Sequence, residues 1–331
     1  YCLFKEYKMK ALVTGGCGFI GSNLVKRLIK MGWTVDIVDD MSSGTLDLLA
    51  DLPEGVNIRA VPSASFLSIY EDEESEKRNS GDILILQDDF ACPEMLERIV
   101  KNKYDIVFHQ AAIPRVLFSV QNPGLTTEVN VSKTARLFEA CVGNVKRIVF
   151  ASSSSVYGGP ENLPITEDTP KNPKSPYAWQ KSTIEDLAKL FCSLYDIDIV
   201  CLRYFNVFGP GQLGDSAYST AVSAWCHRTK NLQPLRSDGD GTQSRDMCYI
   251  DNTIDANILA ATVEREGGFS GRCYNIACGD RVSNNEILDF FKQEYRHTIV
   301  KHAPWRPGDV MHTQACIDRA REELGYSPKT R

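Results

Sequence analysis

Lys10-Ala11-Leu12-Val13-Thr14-Gly15-Gly16-Cys17-Gly18-Phe19-Ile20-Gly21 is the stretch whose reading decides the fold of this chain. Residues 10 to 14 read as a short buried strand, and the glycines break it. From Asn23 to Lys30, Leu24, Val25, Leu28 and Ile29 recur at helical spacing. Gly32 is a natural C-terminal stop for that helix. Residues 34 to 38 make a second strand that ends in Asp39 and Asp40. The pattern is strand, glycine turn, helix, strand, acid. Gly16-x-Gly18-x-x-Gly21 is weak alone and strong in that setting. The glycines let the backbone turn tightly and approach a pyrophosphate, whose charge sits at the helix N-terminus. Asp39 can accept hydrogen bonds from an adenosine ribose diol and would repel a 2′-phosphate, which favours NAD over NADP.

Further strands are expected at 57–61, 82–86, 105–109, 147–151 and 198–202, with helices near 93–101, 125–142 and 177–195. Such alternation argues for a parallel sheet with helices on both faces. Residues 62–81 break the pattern: Asp72, Glu73, Glu74, Glu76, Lys77 and Arg78 are too polar to pack, so a solvated insertion is expected there. After Phe205 the alternation weakens. Residues 206–331 are expected to be mainly a smaller lobe over the strand ends, with a discontinuous boundary to the 9–205 unit. Residues 1–8 read as a disordered extension, with Met9 as the natural start.

At 331 residues the chain allows one large or two moderate domains. A net charge of −6 and a pI near 5.5 leave no electrostatic footprint for nucleic acid. The eleven cysteines are scattered without zinc-type or redox spacing, so reduced thiols, no metal site and a cytoplasmic setting are expected. No apolar run approaches membrane-spanning length.

Chemistry concentrates at Ser175-Pro176-Tyr177-Ala178-Trp179-Gln180-Lys181, behind the run Ala151-Ser152-Ser153-Ser154-Ser155-Val156-Tyr157. Pro176 suits the first turn of a helix, and residues four apart share a helix face. The Tyr177 phenol and the Lys181 ammonium therefore share one site. A free tyrosine has a pKa of about 10, and lowering it by roughly 3 units takes about 4 kcal/mol. Lys181 and a cationic nicotinamide ring are expected to supply this, with a serine hydroxyl bridging phenol and substrate.

Together with Arg203-Tyr204-Phe205-Asn206-Val207-Phe208-Gly209-Pro210, Ser244-Arg245-Asp246-Met247-Cys248-Tyr249-Ile250-Asp251, Tyr274-Asn275-Ile276-Ala277 and Arg306-Pro307-Gly308-Asp309-Val310, these blocks make residues 9–331 resemble an extended short-chain dehydrogenase/reductase of the nucleotide-sugar epimerase type. The pattern is most like that of UDP-N-acetylglucosamine 4-epimerases. The resemblance implies an α/β fold, a Rossmann-type doubly wound parallel sheet with a smaller C-terminal α/β substrate lobe. It implies bound NAD, held by Gly15, Gly18, Phe19, Ile20, Gly21, Asp39, Asp89, Phe90, Gln110, Ala111, Ala112, Asn130, Tyr177 and Lys181. Tyr177, Lys181 and Ser153 are implied as catalytic, with Ser154 the alternative hydroxyl. Ser153, Asn206, Arg245, Arg306, Asp309 and Thr313 are implied as UDP-sugar contacts. Arg245 could instead pair with Asp246 or Asp240, Arg306 could pack on Trp305, and Asn206 could be a turn residue. A homodimer built on the 125–142 and 177–195 helices is implied as well.

Sugar-nucleotide 4,6-dehydratases carry an Asp-Glu pair where this chain has Ser154 and Ser155, and UDP-glucuronate decarboxylases carry a glutamate at the Ser155 position. Hydroxyls there leave oxidation and re-reduction at C4, through a transient 4-keto sugar, as the expected chemistry. Thr313 falls where some UDP-galactose-specific relatives place a tyrosine, so an N-acetyl group is expected to fit. Pro114 and Arg115 depart from the small residues usual in these epimerases. Arg115 could attract a carboxylate, which keeps UDP-glucuronate open as the substrate. A non-catalytic NAD-binding scaffold is the rival of another class.

Overall fold

The computed structural model describes residues 9–62, 82–102, 104–215, 220–305 and 310–330. The extension 1–8, nearly all of the polar 62–81 segment, and Arg306 and Asp309 lie outside the described residues.

Seven strands of the main sheet follow in chain order: β1 (Lys10–Thr14), β2 (Thr34–Val38), β3 (Ile58–Pro62), β4 (Ile83–Gln87), β5 (Ile106–His109), β6 (Arg147–Ser153) and β7 (Asp198–Tyr204). An eighth, Arg272–Ile276, pairs beside β7. The spatial order is Arg272–Ile276, β7, β6, β5, β1, β2, β4, β3, and every pair is parallel. Strict alternation explains why both faces are covered. Ala11 and Val13 join one apolar cluster while Leu12 joins the other, and Ile83 and Ile85 part from Leu84 and Leu86 in the same way. The expected α/β parallel sheet is what forms.

Helix α1 (Phe19–Lys30) buries Leu24, Val25, Leu28 and Ile29 against the first face. On the second face, α2 (Pro93–Asn102) contributes Met95 and Ile99. Two short helices follow, α3 (Val116–Gln121) and α4 (Pro123–Thr127). The helix expected over 125–142 forms, as one unbroken helical run whose middle widens into a π turn. After α4 a π-helical turn spans Glu128–Lys133 before α5 (Thr134–Cys141). The widened turn carries buried Asn130, whose amide bonds both backbone groups of Ile113 and the Gln180 side chain. Helix α6 (Pro176–Leu194) starts where Ser175 accepts the Ala178 N–H at 3.2 Å, with Pro176 in its first turn.

Beyond β7 the chain leaves the sheet and returns to it. Two-stranded pairs form between 206–208 and 247–249, 244–245 and 282–283, and 235–238 and 300–303. Helices α7 (Ala221–Lys230) and α8 (Ile250–Thr262) follow. Trp225 of α7 packs with Leu235, Leu288 and Phe291 in a small separate core. Residues Ile254, Ala256 and Ala260 of α8 belong to the main core instead. Among the described residues, no helix is long and apolar enough to cross a membrane.

Candidate active site

The strand order reverses between β1 and β5, so a crevice opens at their C-terminal ends, where open α/β sheets hold ligands. Gly15 follows β1 with φ +68°, and a Cβ on it would lie 2.9 Å from the Ala111 backbone after β5. A Cβ on Gly21 would lie 2.1 Å from the Gly15 carbonyl oxygen. Glycine is thus demanded at both positions by backbone that has nowhere to go. Gly18 caps α1 without a side-chain hydrogen bond, and no acidic residue stands in the first turn. Phe19 and Ile20 open that turn, so its N–H groups face an anion site. Asp39 holds the end of β2, where its carboxylate accepts the Cys17 and Met41 N–H groups, each at 2.9 Å. Burial raises its pKa and these two bonds pull it back. The glycine cradle, the uncapped helix and the oriented acid fit a dinucleotide.

The other expected cofactor residues line the same side. Asp89 accepts Ala91 N–H at 2.8 Å and pairs with Lys133 at 2.5 Å. Phe90 packs against His109 in a tilted arrangement, ring centroids 4.9 Å apart. Gln110 donates to Tyr204 and Asn257, and Ala111 N–H donates to the Thr14 hydroxyl at 3.1 Å. Ala112 comes next, before Ile113, which Asn130 clamps.

Tyr177 and Lys181 lie one turn apart on the buried face of α6. The Tyr177 N–H is fixed by the Ser119 hydroxyl at 3.1 Å. Ser153 ends β6, where its hydroxyl accepts the Ser155 N–H at 3.2 Å and its neighbourhood with the Tyr177 phenol favours the ionised form. Ser154 starts the short 3₁₀ turn that follows. The Ser155 Oγ is buried and has no hydrogen-bond partner among the described residues. The Lys181 ammonium donates to the Ala151 carbonyl at 2.6 Å and stands 5.9 Å from the Tyr177 ring centroid.

Lys181 by itself does not hold Tyr177 below its ordinary pKa. Burial pushes the phenol up to about 12, with the neighbouring Ser153 hydroxyl pulling the other way. Burial also brings Lys181 down to about 7, while Cys201 and Glu185 hold it up. Cys201 is itself driven well up, first by its contact with Cys273, and stays a neutral thiol. Glu185 is therefore the anion that supports the ammonium. Desolvation outweighs one neighbour a helical turn away.

Glu185, fully buried one turn beyond Lys181, heads a network that the sequence reading missed. It accepts Ser152 Oγ at 2.6 Å and a two-pronged contact from Arg203 at 2.7 and 2.8 Å. Arg203 also donates to Tyr157, whose hydroxyl donates to Asn275 at 2.6 Å. The signal was available: 177, 181 and 185 lie at helical spacing, and Arg203 opens a block already singled out.

Apart from Ser153 on β6, the expected sugar-nucleotide contacts within the described residues, Asn206, Arg245 and Thr313, gather in one place. Asn206 donates to the Thr313 hydroxyl at 3.3 Å, and half-buried Arg245 donates to the Ser244 and Met311 carbonyls at 3.0 and 3.1 Å. Thr313 also accepts the Asp246 N–H. Thr313 is therefore joined to Asn206 and Asp246 rather than isolated on the surface. Asp246, adjacent to Arg245, turns its carboxylate to backbone amides. Arg115 is half-buried at the N-terminal cap of α3.

Comparison with known proteins places this geometry. The profile of the NAD dependent epimerase/dehydratase family matches residues 11–277. A UDP-glucose 4-epimerase of Mycolicibacterium smegmatis is 31% identical over 333 residues, spanning 97% of this chain and 94% of its own. A UDP-N-acetylglucosamine 4-epimerase from Methanobrevibacter ruminantium M1, solved with UDP-N-acetylmuramic acid, superposes with a TM-score of 0.83 at 32% identity, covering 97% of this chain and 93% of that one. The UDP-glucose 4-epimerase of Thermus thermophilus, solved with NAD, gives 0.79 at 28% identity, covering 98% and 95%. With a matched profile over most of its length, a dinucleotide cradle and a buried Tyr-Lys pair beside a serine, the chain belongs to the NAD dependent epimerase/dehydratase family, among the extended short-chain dehydrogenases/reductases, with NAD as its cofactor.

Proposed function

We propose that this chain is a UDP-sugar 4-epimerase whose preferred pair is UDP-GlcNAc and UDP-GalNAc. The observation that carries the reading is the Tyr177–Lys181 pair on the buried face of α6. Its ammonium is bonded at 2.6 Å to the carbonyl of Ala151, two residues before Ser153, and stands 5.9 Å from the Tyr177 ring centroid. NAD, when bound, supplies the hydride acceptor and donor for C4 and a positively charged ring that favours the phenolate. Tyr177 takes the C4 hydroxyl proton through Ser153 and returns it to the product. Lys181 places positive charge beneath the phenol, and Glu185 keeps that charge in place. Asn206 and Arg245, with Arg306 and Asp309 beyond the described residues, hold the UDP part, because guanidinium forks suit diphosphate oxygens. The sugar turns on that tether and presents its other face.

Two features favour epimerisation over elimination. Ser154 and Ser155 put hydroxyls where a dehydratase needs carboxylates. Thr313 is compact and joined to Asn206, which supports room for an acetamido group. UDP-glucuronate is the second reading, favoured by half-buried Arg115 in the turn that ends at Ser119, the residue fixing Tyr177. Exposed Leu125, Trp179, Leu190 and Leu194 on α4 and α6 support a homodimer through these helices. The test is to incubate purified protein with UDP-GlcNAc, UDP-Glc and UDP-GlcA and resolve the products by proton NMR. Faster conversion of UDP-GlcNAc is expected. Conversion of UDP-GlcA alone would install the second reading, and no conversion of any would defeat both in favour of a binding scaffold.

A further inference from the structure

Asp246 is fully buried, yet three remote segments meet on it. Its Oδ1 accepts the Cys278 N–H at 2.8 Å, and its Oδ2 accepts the Gly279 and Ala315 N–H groups at 3.0 and 3.1 Å. Its own carbonyl accepts from Asn206 Nδ2 at 3.1 Å, and its own N–H donates to Thr313 Oγ1 at 3.3 Å. Arg245 precedes it. Of the four assigned sugar-nucleotide contacts within the described residues, Asn206 and Thr313 thus bond the Asp246 backbone and Arg245 adjoins it in the chain, while Ser153 ends β6; the Asp246 side chain itself sits too deep to touch the ligand.

We infer that Asp246 is the positioning residue of the UDP-sugar site: its carboxylate ties the 278–279 turn and the 313–315 segment to the Arg245 strand, so that Asn206, Arg245 and Thr313 stand ready before the ligand arrives. The chemistry asks for an acid. Three N–H donors from two segments converge, and a carboxylate meets them with two acceptor oxygens. An asparagine offers one oxygen and turns an NH₂ toward the remaining donors, so at least one buried amide loses its partner. The segments then separate, and alignment errors near 1 Å are enough to weaken a multi-point contact by tenfold or more, roughly.

This inference rests on the UDP-sugar reading, and the experiment separates the two. UDP binding to the NAD-loaded protein is measured by calorimetry for wild type and Asp246→Asn, with KM and kcat for UDP-GlcNAc and the bound NAD content. The expected result is a UDP Kd raised about tenfold or more, KM raised in step, kcat within about threefold and NAD content unchanged. A wild type that ignores UDP defeats the functional reading. A variant that binds UDP like wild type, or one that loses kcat at constant KM, overturns the role of Asp246. Should Asp246→Asn fail to fold, hydrogen–deuterium exchange on wild type decides. UDP must slow exchange in 277–281, where the Cys278 and Gly279 N–H groups bond the Asp246 carboxylate, together with 244–247. Slowing confined to 244–247 overturns the inference.

Discussion

Replacing Glu185 with glutamine tests whether the buried network beneath α6 supports both the fold and the site. The carboxylate accepts three hydrogen bonds shorter than 2.9 Å, one from Ser152 and two from Arg203, and both members of the pair are almost wholly buried. The amide oxygen of glutamine can still accept from Ser152 and from Arg203 Nε, but an NH₂ replaces the oxygen that met the second Arg203 prong, so that bond is lost and the Arg203 guanidinium stays in the interior without its counter-ion. A hydrogen bond between charged groups contributes about 1.5–3 kcal/mol. Removing one partner of a buried ion pair costs about 3–5 kcal/mol, because the charge left behind is uncompensated, and this larger figure sets the expectation. For a chain of this size each kcal/mol moves Tm by about 2 °C, so a fall of about 6–10 °C is expected in a thermal melt followed by circular dichroism. Ser152→Ala loses one bond and should fall by about 3 °C. The double variant should fall by less than the two added, because both substitutions act on one carboxylate. Glu185→Gln also removes the anion that holds Lys181 up, so epimerisation near pH 7 should drop while NAD stays bound. A Glu185→Gln protein melting within 2 °C of wild type would refute the reasoning.

Gly21→Ala forces a Cβ to 2.1 Å from the Gly15 carbonyl oxygen, so α1 must slide away from the glycine turn; NAD content after purification should fall sharply, and a full complement would contradict the cradle. Tyr177→Phe should abolish turnover and keep NAD, whereas retained turnover would remove the phenol from the mechanism. For Lys181 the folded pKa is near 7 and the unfolded value near 10.5, so between these the unfolded chain binds one more proton and stability gained from this group rises with pH. The Tm difference between wild type and Lys181→Met should therefore shift in favour of wild type from pH 7 to pH 10, and a shift the other way would show that Lys181 is not depressed. Thr313→Tyr should slow UDP-GlcNAc more than UDP-Glc, and equal slowing would dispose of the steric argument.

The β1–α1–β2 unit was legible because its constraints are local. A strand, a helix and glycines required by backbone crowding all show in consecutive residues. Tyr177 and Lys181 were legible for the same reason, since helical periodicity alone puts them on one face. The Glu185–Arg203 pair and the Asp246 hub were not, because their partners lie 18 to 69 residues away and meet only when the sheet assembles. The π turn around Asn130 escaped as well: its cause is a contact with Ile113 and Gln180, not a propensity. The burial of Tyr177, which works against its ionisation, is hidden in the sequence, whereas the neighbouring charge is visible there. Likewise Arg272–Ile276 is a two-sided buried strand only because β7 lies beside it.

The account stands on a C4 that is oxidised and re-reduced inside one closed site. UDP-GlcNAc carrying deuterium at C4, incubated with the protein in ordinary water and an excess of unlabelled external NAD, reports on this directly by NMR. The account predicts UDP-GalNAc that keeps essentially all its deuterium at C4, with none in water or in the external dinucleotide. Epimer that has exchanged its label with solvent, or label collecting on external dinucleotide, would contradict it.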